Sequence, residues 1–237
     1  MKHLWLYIFS VAFFLNIPAV IAQSSNQSAR GAYISKADQF LDIFTGRIPE
    51  EYPNIYTGTY YLLSRQFIEG SLYYNEKYYD KLWLNINADR QLLYVLAPDK
   101  KRTVVLDPLL VSELWLGEEK FVYYASGAQP GLSVGFYSVL WDGKLRLLKY
   151  TRKRYIERIN NQQMELIRNF EVSTQYYLLK DGRAHSISGR RDIIKALGSH
   201  KRELSRWAAQ APVDFRANPE YAYTQCLYYY VSLQTPE

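Results

Sequence analysis

Between residues 66 and 150 the sequence repeats short runs of aliphatic, β-branched and aromatic residues at intervals of about ten, separated by turn-formers such as Pro98-Asp99. Parallel strands need a crossover of a dozen or more residues, so this spacing favours an antiparallel meander over a parallel sheet. Residues 82–87 place Leu82, Leu84 and Ile86 on one face and Asn85 and Asn87 on the other, the period-2 pattern of a half-buried strand. Residues 92–97, 103–106 and 121–124 read as further strands. Residues 55–61, after breaks at Pro49 and Pro53, are the first strand candidate. Asp142-Gly143, between 139–141 and 144–150, and Asp181-Gly182, between 170–179 and 183–187, predict hairpins closed by two-residue turns. The 23 tyrosines fit sheet surfaces with one wet side, where the ring packs and the hydroxyl reaches water.

After residue 188 the pattern changes to helical spacing. Ser188 can cap a helix carrying Ile193, Ile194 and Leu197, and Gly198-Ser199 can end it and start another bearing Leu204, Trp207 and Ala208. Asn218-Pro219-Glu220 combines an N-cap, a proline at the first helical position and an acid in the first turn. The helix from 219 to about 232 should bury Ala222, Cys226 and Tyr230 or its neighbours. Apolar residues gather on one side of these helices, so they should dock on the sheet, with Trp207 as the anchor. The fold class expected is mainly β with a helical tail (α+β): an antiparallel meander forming a twisted sheet or open half-barrel, packed against C-terminal helices.

The N-terminus begins with Met1, Lys2 and His3, runs apolar over 4–21, and ends in Ala19-Val20-Ile21-Ala22. Those are the three parts of a secretory signal peptide, with cleavage after Ala22. The competing reading is a transmembrane anchor, since 4–21 approaches the ~20 apolar residues that span a bilayer. Pro18 and the polar run 23–28 favour cleavage. Apolar positions Tyr33, Ala37, Phe40, Leu41 and Phe44 predict a short helix over 32–44, with Gly46 as its stop. The expected organisation is a signal peptide at 1–22, a linker and short helix at 23–54, and one β-rich domain at 55–237 with helices from about 188. Cys226 is the one cysteine, so no intramolecular disulfide can form, and stability must come from packing. Absence of cysteine pairs tilts the source towards a bacterial envelope. The sequon Asn26-Gln27-Ser28 is a chance-level match.

No catalytic or metal-binding constellation rises above background. His185 and His200 are the histidines left after cleavage, and Cys226 lies in an apolar run where a lone thiol is usually a buried hydrophobe. Ser186 and Ser188 flank His185 without a Gly-x-Ser-x-Gly turn, and no zinc ligand set is indicated. Glu50-Glu51 and Glu118-Glu119 should face solvent from turns, and Asp80, Asp89 and Asp107 should be turn-formers. The basic cluster Lys149, Arg152, Lys153, Arg154 and Arg158, interleaved with Tyr150 and Tyr155, is the one candidate contact for an anionic partner such as anionic lipid, lipopolysaccharide or a polyanion. The plainer reading, which the cluster's place near an expected loop favours, is a solvated strand or hairpin end guarded against aggregation. Arg190, Arg191, Lys195, Lys201, Arg202 and Arg206 fit the outer face of amphipathic helices in the same way.

The landmarks resemble a family of uncharacterised secreted proteins of Bacteroidota-type Gram-negative bacteria. The likeness is carried by Ile55-Tyr56-Thr57-Gly58-Thr59-Tyr60, by Gly70-Ser71-Leu72-Tyr73-Tyr74 running into Tyr78-Tyr79-Asp80-Lys81-Leu82, and by Lys180-Asp181-Gly182 running through His185 into Arg191-Asp192-Ile193-Ile194-Lys195-Ala196-Leu197. The resemblance implies an envelope location and brings no activity or site residues. The functional expectation is an exported, non-enzymatic binding or scaffolding module, located in the periplasm, at the outer membrane or in the medium. Its partner would be an envelope protein, and peripheral membrane contact could run through the basic cluster. The alternatives are a periplasmic carrier that wraps an apolar ligand or lipoprotein in a curved sheet, and a hydrolase using carboxylates. No cofactor is expected. A net charge of +6, lowered by one when Lys2 leaves, is too small to point to nucleic acid. No further membrane-spanning segment is expected after signal removal.

Overall fold

A computed structural model describes residues 43–53, 55–160 and 165–234. The expected signal peptide at 1–22 lies outside the described residues, as does most of the expected helix at 32–44, of which Ile43 is seen in helical conformation. Ten strands follow: β1 (Ile68–Tyr74), β2 (Lys77–Asn87), β3 (Leu92–Leu96), β4 (Thr103–Leu106), β5 (Val111–Leu116), β6 (Glu119–Tyr124), β7 (Gly135–Trp141), β8 (Arg146–Asn160), β9 (Glu165–Lys180) and β10 (Arg183–Ile187). Helices α1 (Arg190–Leu197), α2 (Lys201–Gln210) and α3 (Pro219–Ser232) close the chain. None of the described helices is long and apolar enough to cross a membrane.

Every strand pair is antiparallel, in one sheet of order β10-β9-β8-β7-β6-β5-β1-β2-β3-β4. Two meanders, β1–β4 and β5–β10, are thus joined through the β1–β5 pairing. Asp107 caps a 3-10 turn at Pro108–Leu110, and that short stretch links β4 to β5. It can reach no more than about 18 Å, whereas four strand spacings along a flat sheet come to about 19 Å. The sheet therefore curls, yet stays open, and Arg47 takes the outer edge of β4 through a bridge to Val105. At the β1–β5 crossing Gly70 is required, because a Cβ there would lie 2.1 Å from the Trp115 carbonyl oxygen.

Directly paired residues point to the same side of a sheet. A row of such partners runs Tyr79, Leu72, Leu114, Phe121, Ser138, Lys149, Tyr176 and Ile187 across eight strands, from β2 to β10. This inner face holds the main core, with Leu72, Leu84, Ile86, Leu93 and Leu114 fully buried. Ile43 joins the same core. At the β8–β10 end, Leu147, Leu178 and Ile187 pack beneath the helices against Ile193, Leu197, Leu204 and Leu227. The outer face carries Tyr137, Leu148, Tyr150 and Tyr177, covered by the 125–134 loop through Leu132.

Several local expectations are corrected. Residues 55–61 form a loop, not a strand: it touches the sheet through isolated bridges of Thr57 to Asn169 and Tyr61 to Asn87, and Gly58 at φ 88 breaks the extended backbone between them. Asn85 and Asn87 do not face water. The segment around residues 52–66 covers that side of β2, and Asn85 Nδ2 donates to the carbonyls of Ser64 and Gln66 at 3.1 and 2.8 Å. Asp181-Gly182 is the expected two-residue turn, with φ of 50 and 71. Asp142-Gly143 is not, because a bulge between Val139 and Trp141 offsets the register and residues 142–145 make a longer connection. There the Asp142 carboxylate accepts from Lys120 Nζ at 3.0 Å and Arg146 Nε at 2.9 Å.

The helices lie where the periodicity puts them. Gly198 ends α1 at φ 79, and Asn218 Oδ1 accepts from the Tyr221 amide to cap α3. Gly189 takes the N-cap position of α1, so Ser188 sits one residue earlier and donates its backbone N–H to Asp192 Oδ2 at 3.0 Å. Trp207 is only partly buried, stacked on Tyr229 with ring centroids 5.4 Å apart. Leu204, fully buried one turn earlier, is the deeper anchor of α2.

Candidate functional site

β8 and β9 pair over fifteen positions, and their alternation sorts the basic cluster onto two faces. From the helices towards the hairpin tip, the inner face shows Leu147 with Leu178, Lys149 with Tyr176, Thr151 with Thr174, Lys153 with Val172, and Tyr155 with Phe170. Arg152, Arg154 and Arg158 point outward and are exposed. Arg154 and Arg158 stand 3.8 and 4.0 Å from Glu171. The cluster expected as one basic patch near a loop is therefore mid-strand and divided: two lysines within, three arginines without.

Two elements cover the inner face and leave a gap between them. The α1–α3 layer ends at the start of α3, where Glu220 reaches down from the first turn. Its Oε1 lies 2.8 Å from Lys149 Nζ and accepts from the Tyr176 hydroxyl at 3.3 Å. From the other side, Tyr52, Tyr56 and Tyr60 pack on Tyr155 and Phe170, with Tyr52 stacked on Tyr60 at 4.6 Å. Between these covers lies a cleft of about 210 Å³. Leu62, Phe121, Phe136 and Val172 form its apolar walls, and Ser138, Thr151, Thr174, Lys149, Lys153, Glu119 and Glu220 supply its polar groups.

The backbone edge of β8 beside the cleft is held by the β2–β3 turn, which the curl of the sheet brings against it. Lys153 N–H donates to the Ala88 carbonyl at 3.1 Å, and Tyr155 N–H to Asp89 Oδ1 at 3.1 Å. Buried Gln91 completes the joint: its Nε2 donates to the carbonyls of Ala88 and Thr151, and its Oε1 accepts from Phe136 N–H at 2.9 Å. Asp89 is thus a turn residue, as expected, and also a clamp on β8.

Lys153 is the unusual group. Only 9% of its surface is exposed. Its Nζ donates to the Tyr61 carbonyl, and among the described residues no carboxylate lies within ion-pair distance. Burial alone pushes its pKa below the ordinary lysine value. Lys149, four positions away, is neutralised by Glu220. Glu119 is exposed, as expected, but it opens β6 instead of lying in the turn, and it lines the cleft, accepting from Ser138 Oγ at 3.4 Å. Asp80 likewise lies within β2 and not in a turn.

Cys226 is fully buried in α3, and burial pushes its thiol up to about 12, so it carries no thiolate near neutral pH. His185 lies on β10, and His200 precedes α2 in a left-handed conformation. Among the described residues no group of three metal-ligating side chains converges. Comparison with protein-family models, with characterised proteins and with solved structures found no match.

The cleft was not visible as such in the sequence. Its signal was present in Lys149, Thr151 and Lys153 at period 2, which puts two cations and a hydroxyl on one face of a strand. What could not be read was which face would be covered.

Proposed function

We propose that this chain is an exported, non-enzymatic envelope protein that acts as a binding module and takes a small ligand in the cleft between the start of α3 and the 52–66 segment. The observation that carries this reading is Lys153: a buried cation without a counter-charge, lining an open cleft, costs stability that a bound partner would offset.

The size of the cleft supports a small ligand. Drug-sized molecules occupy about 300–1,000 Å³, whereas about 150 Å³ is enough for benzene. A lipid chain would need more room, and the rest of the inner face is filled by its own Leu72, Leu84, Leu93 and Leu114. Two carboxylates, Glu119 and Glu220, do meet the cleft, which is the minimum for a carboxylate hydrolase. Glu220 is already engaged by Lys149 and Tyr176, and that favours binding over proton transfer.

Thr174 is exposed on β9 at the cleft and accommodates a larger side chain without disturbing the core. Native mass spectrometry of gently purified protein should show an adduct of constant small mass on the parent and none on Thr174→Trp. An adduct retained at full occupancy on Thr174→Trp would place the ligand elsewhere and end this reading.

A further inference from the structure

We infer that the ligand of this cleft is a small monocarboxylate with an apolar body, its carboxylate anchored by Lys153. The inference rests on the binding reading and adds the ligand's chemistry. The charge balance along the cleft is uneven. At the α3 end Lys149 is matched by Glu220 at 2.8 Å, and Glu119 adds a negative charge there. Lys153 stands four strand positions away, about 13 Å along β8 at ~3.3 Å per residue. The uncompensated charge at its own end is therefore positive.

An ammonium has three N–H donors, and the Tyr61 carbonyl takes one. A carboxylate offers acceptors for the others and removes the buried net charge at the same time. The cross-strand pair Thr151 and Thr174 sets two hydroxyls on the same face beside it, as further donors to a carboxylate oxygen. Phe121, Phe136, Leu62 and Val172 then leave an apolar wall for the ligand's body. The three outward arginines are solvated and cannot supply this selectivity. The wider groove of about 750 Å³ near the start of α1 is lined by exposed arginines and by Asp192 and Asp214, which already accept bonds from Ser188 and from backbone amides.

The test uses 3-phenylpropionate and its neutral counterpart 3-phenylpropan-1-ol, titrated calorimetrically into the full protein. The carboxylate should bind at least ten-fold more tightly than the alcohol. Lys153→Met should abolish that preference, and so should Lys153→Gln, which keeps a donor for the Tyr61 carbonyl and so separates loss of charge from loss of the loop contact. Arg154→Met, which removes a cation from the outer face of the same strand, should leave both affinities within two-fold. Equal binding of acid and alcohol, or a preference that survives both Lys153 variants, would overturn the assignment. If neither compound binds while the parent still carries an adduct that Thr174→Trp lacks, the carboxylate assignment fails and the binding reading stands.

Discussion

Tyrosine is the residue through which this sheet meets its surroundings, and burial alters its acidity at named positions. Tyr52, Tyr61 and Tyr137 are pushed well above the ordinary tyrosine value, in each case mainly by burial. Tyr176 is pushed up to about 12 by burial and by the negative charge of Glu220 beside it. A group whose folded pKa is raised contributes stability that is whole below the unfolded value, about 10 for tyrosine, and is lost as pH rises through the folded value. An alkaline titration followed together by phenolate absorbance and circular dichroism should therefore show two classes. A first group of rings should ionise with the sheet intact, and a second group, Tyr52, Tyr61 and Tyr137 among them, should ionise only as the sheet melts. A single class titrating near pH 10 with unchanged dichroism would contradict the packing of these rings.

At the scale of elements, alternation and the cap of α3 were legible, and depth was not. Residues 103–106 and the turn Asp181-Gly182 appear as read because β-branched runs and a positive-φ pair act locally. The start of α3 at Asn218-Pro219 is equally local. Residues 55–61 misled because β-loving tyrosines serve there as a cover, with Tyr56 and Tyr60 packed on Phe170 of β9, and composition does not distinguish a strand from a lid. Ring size marked Trp207 as the anchor of α2, but the helix turns Leu204 deeper. Leu204→Ala should thus cost about 2–5 kcal/mol. Trp207→Ala loses one stacked contact with Tyr229 and a half-exposed ring, and should cost less. Thermal midpoints should fall in the order parent, Trp207→Ala, Leu204→Ala, and the reverse order would mean that α2 docks differently.

For the molecule as a whole, the sheet class followed from spacing, but the cleft depends on long-range placement that no local pattern encodes. β1 inserts between β5 and β2, the sheet curls, and the β2–β3 turn arrives against β8 through Gln91 and Asp89. That arrangement buries Lys153 in the wall of the cleft. The molecule then holds a partly desolvated cation without an ion-pair partner among the described residues, whose burial costs on the order of a few kcal/mol, against about 1.5–3 kcal/mol returned by a charge-assisted hydrogen bond to the Tyr61 carbonyl. On this balance the proposed binding role, and not stability, accounts for Lys153. Urea unfolding of the ligand-free protein measures the difference directly. Lys153→Met should be more stable than the parent by on the order of 1–3 kcal/mol, with an unchanged denaturant slope. If Lys153→Met is instead less stable by a similar amount, Lys153 is a structural bracket for the 52–66 segment, and the cleft is not the binding site described.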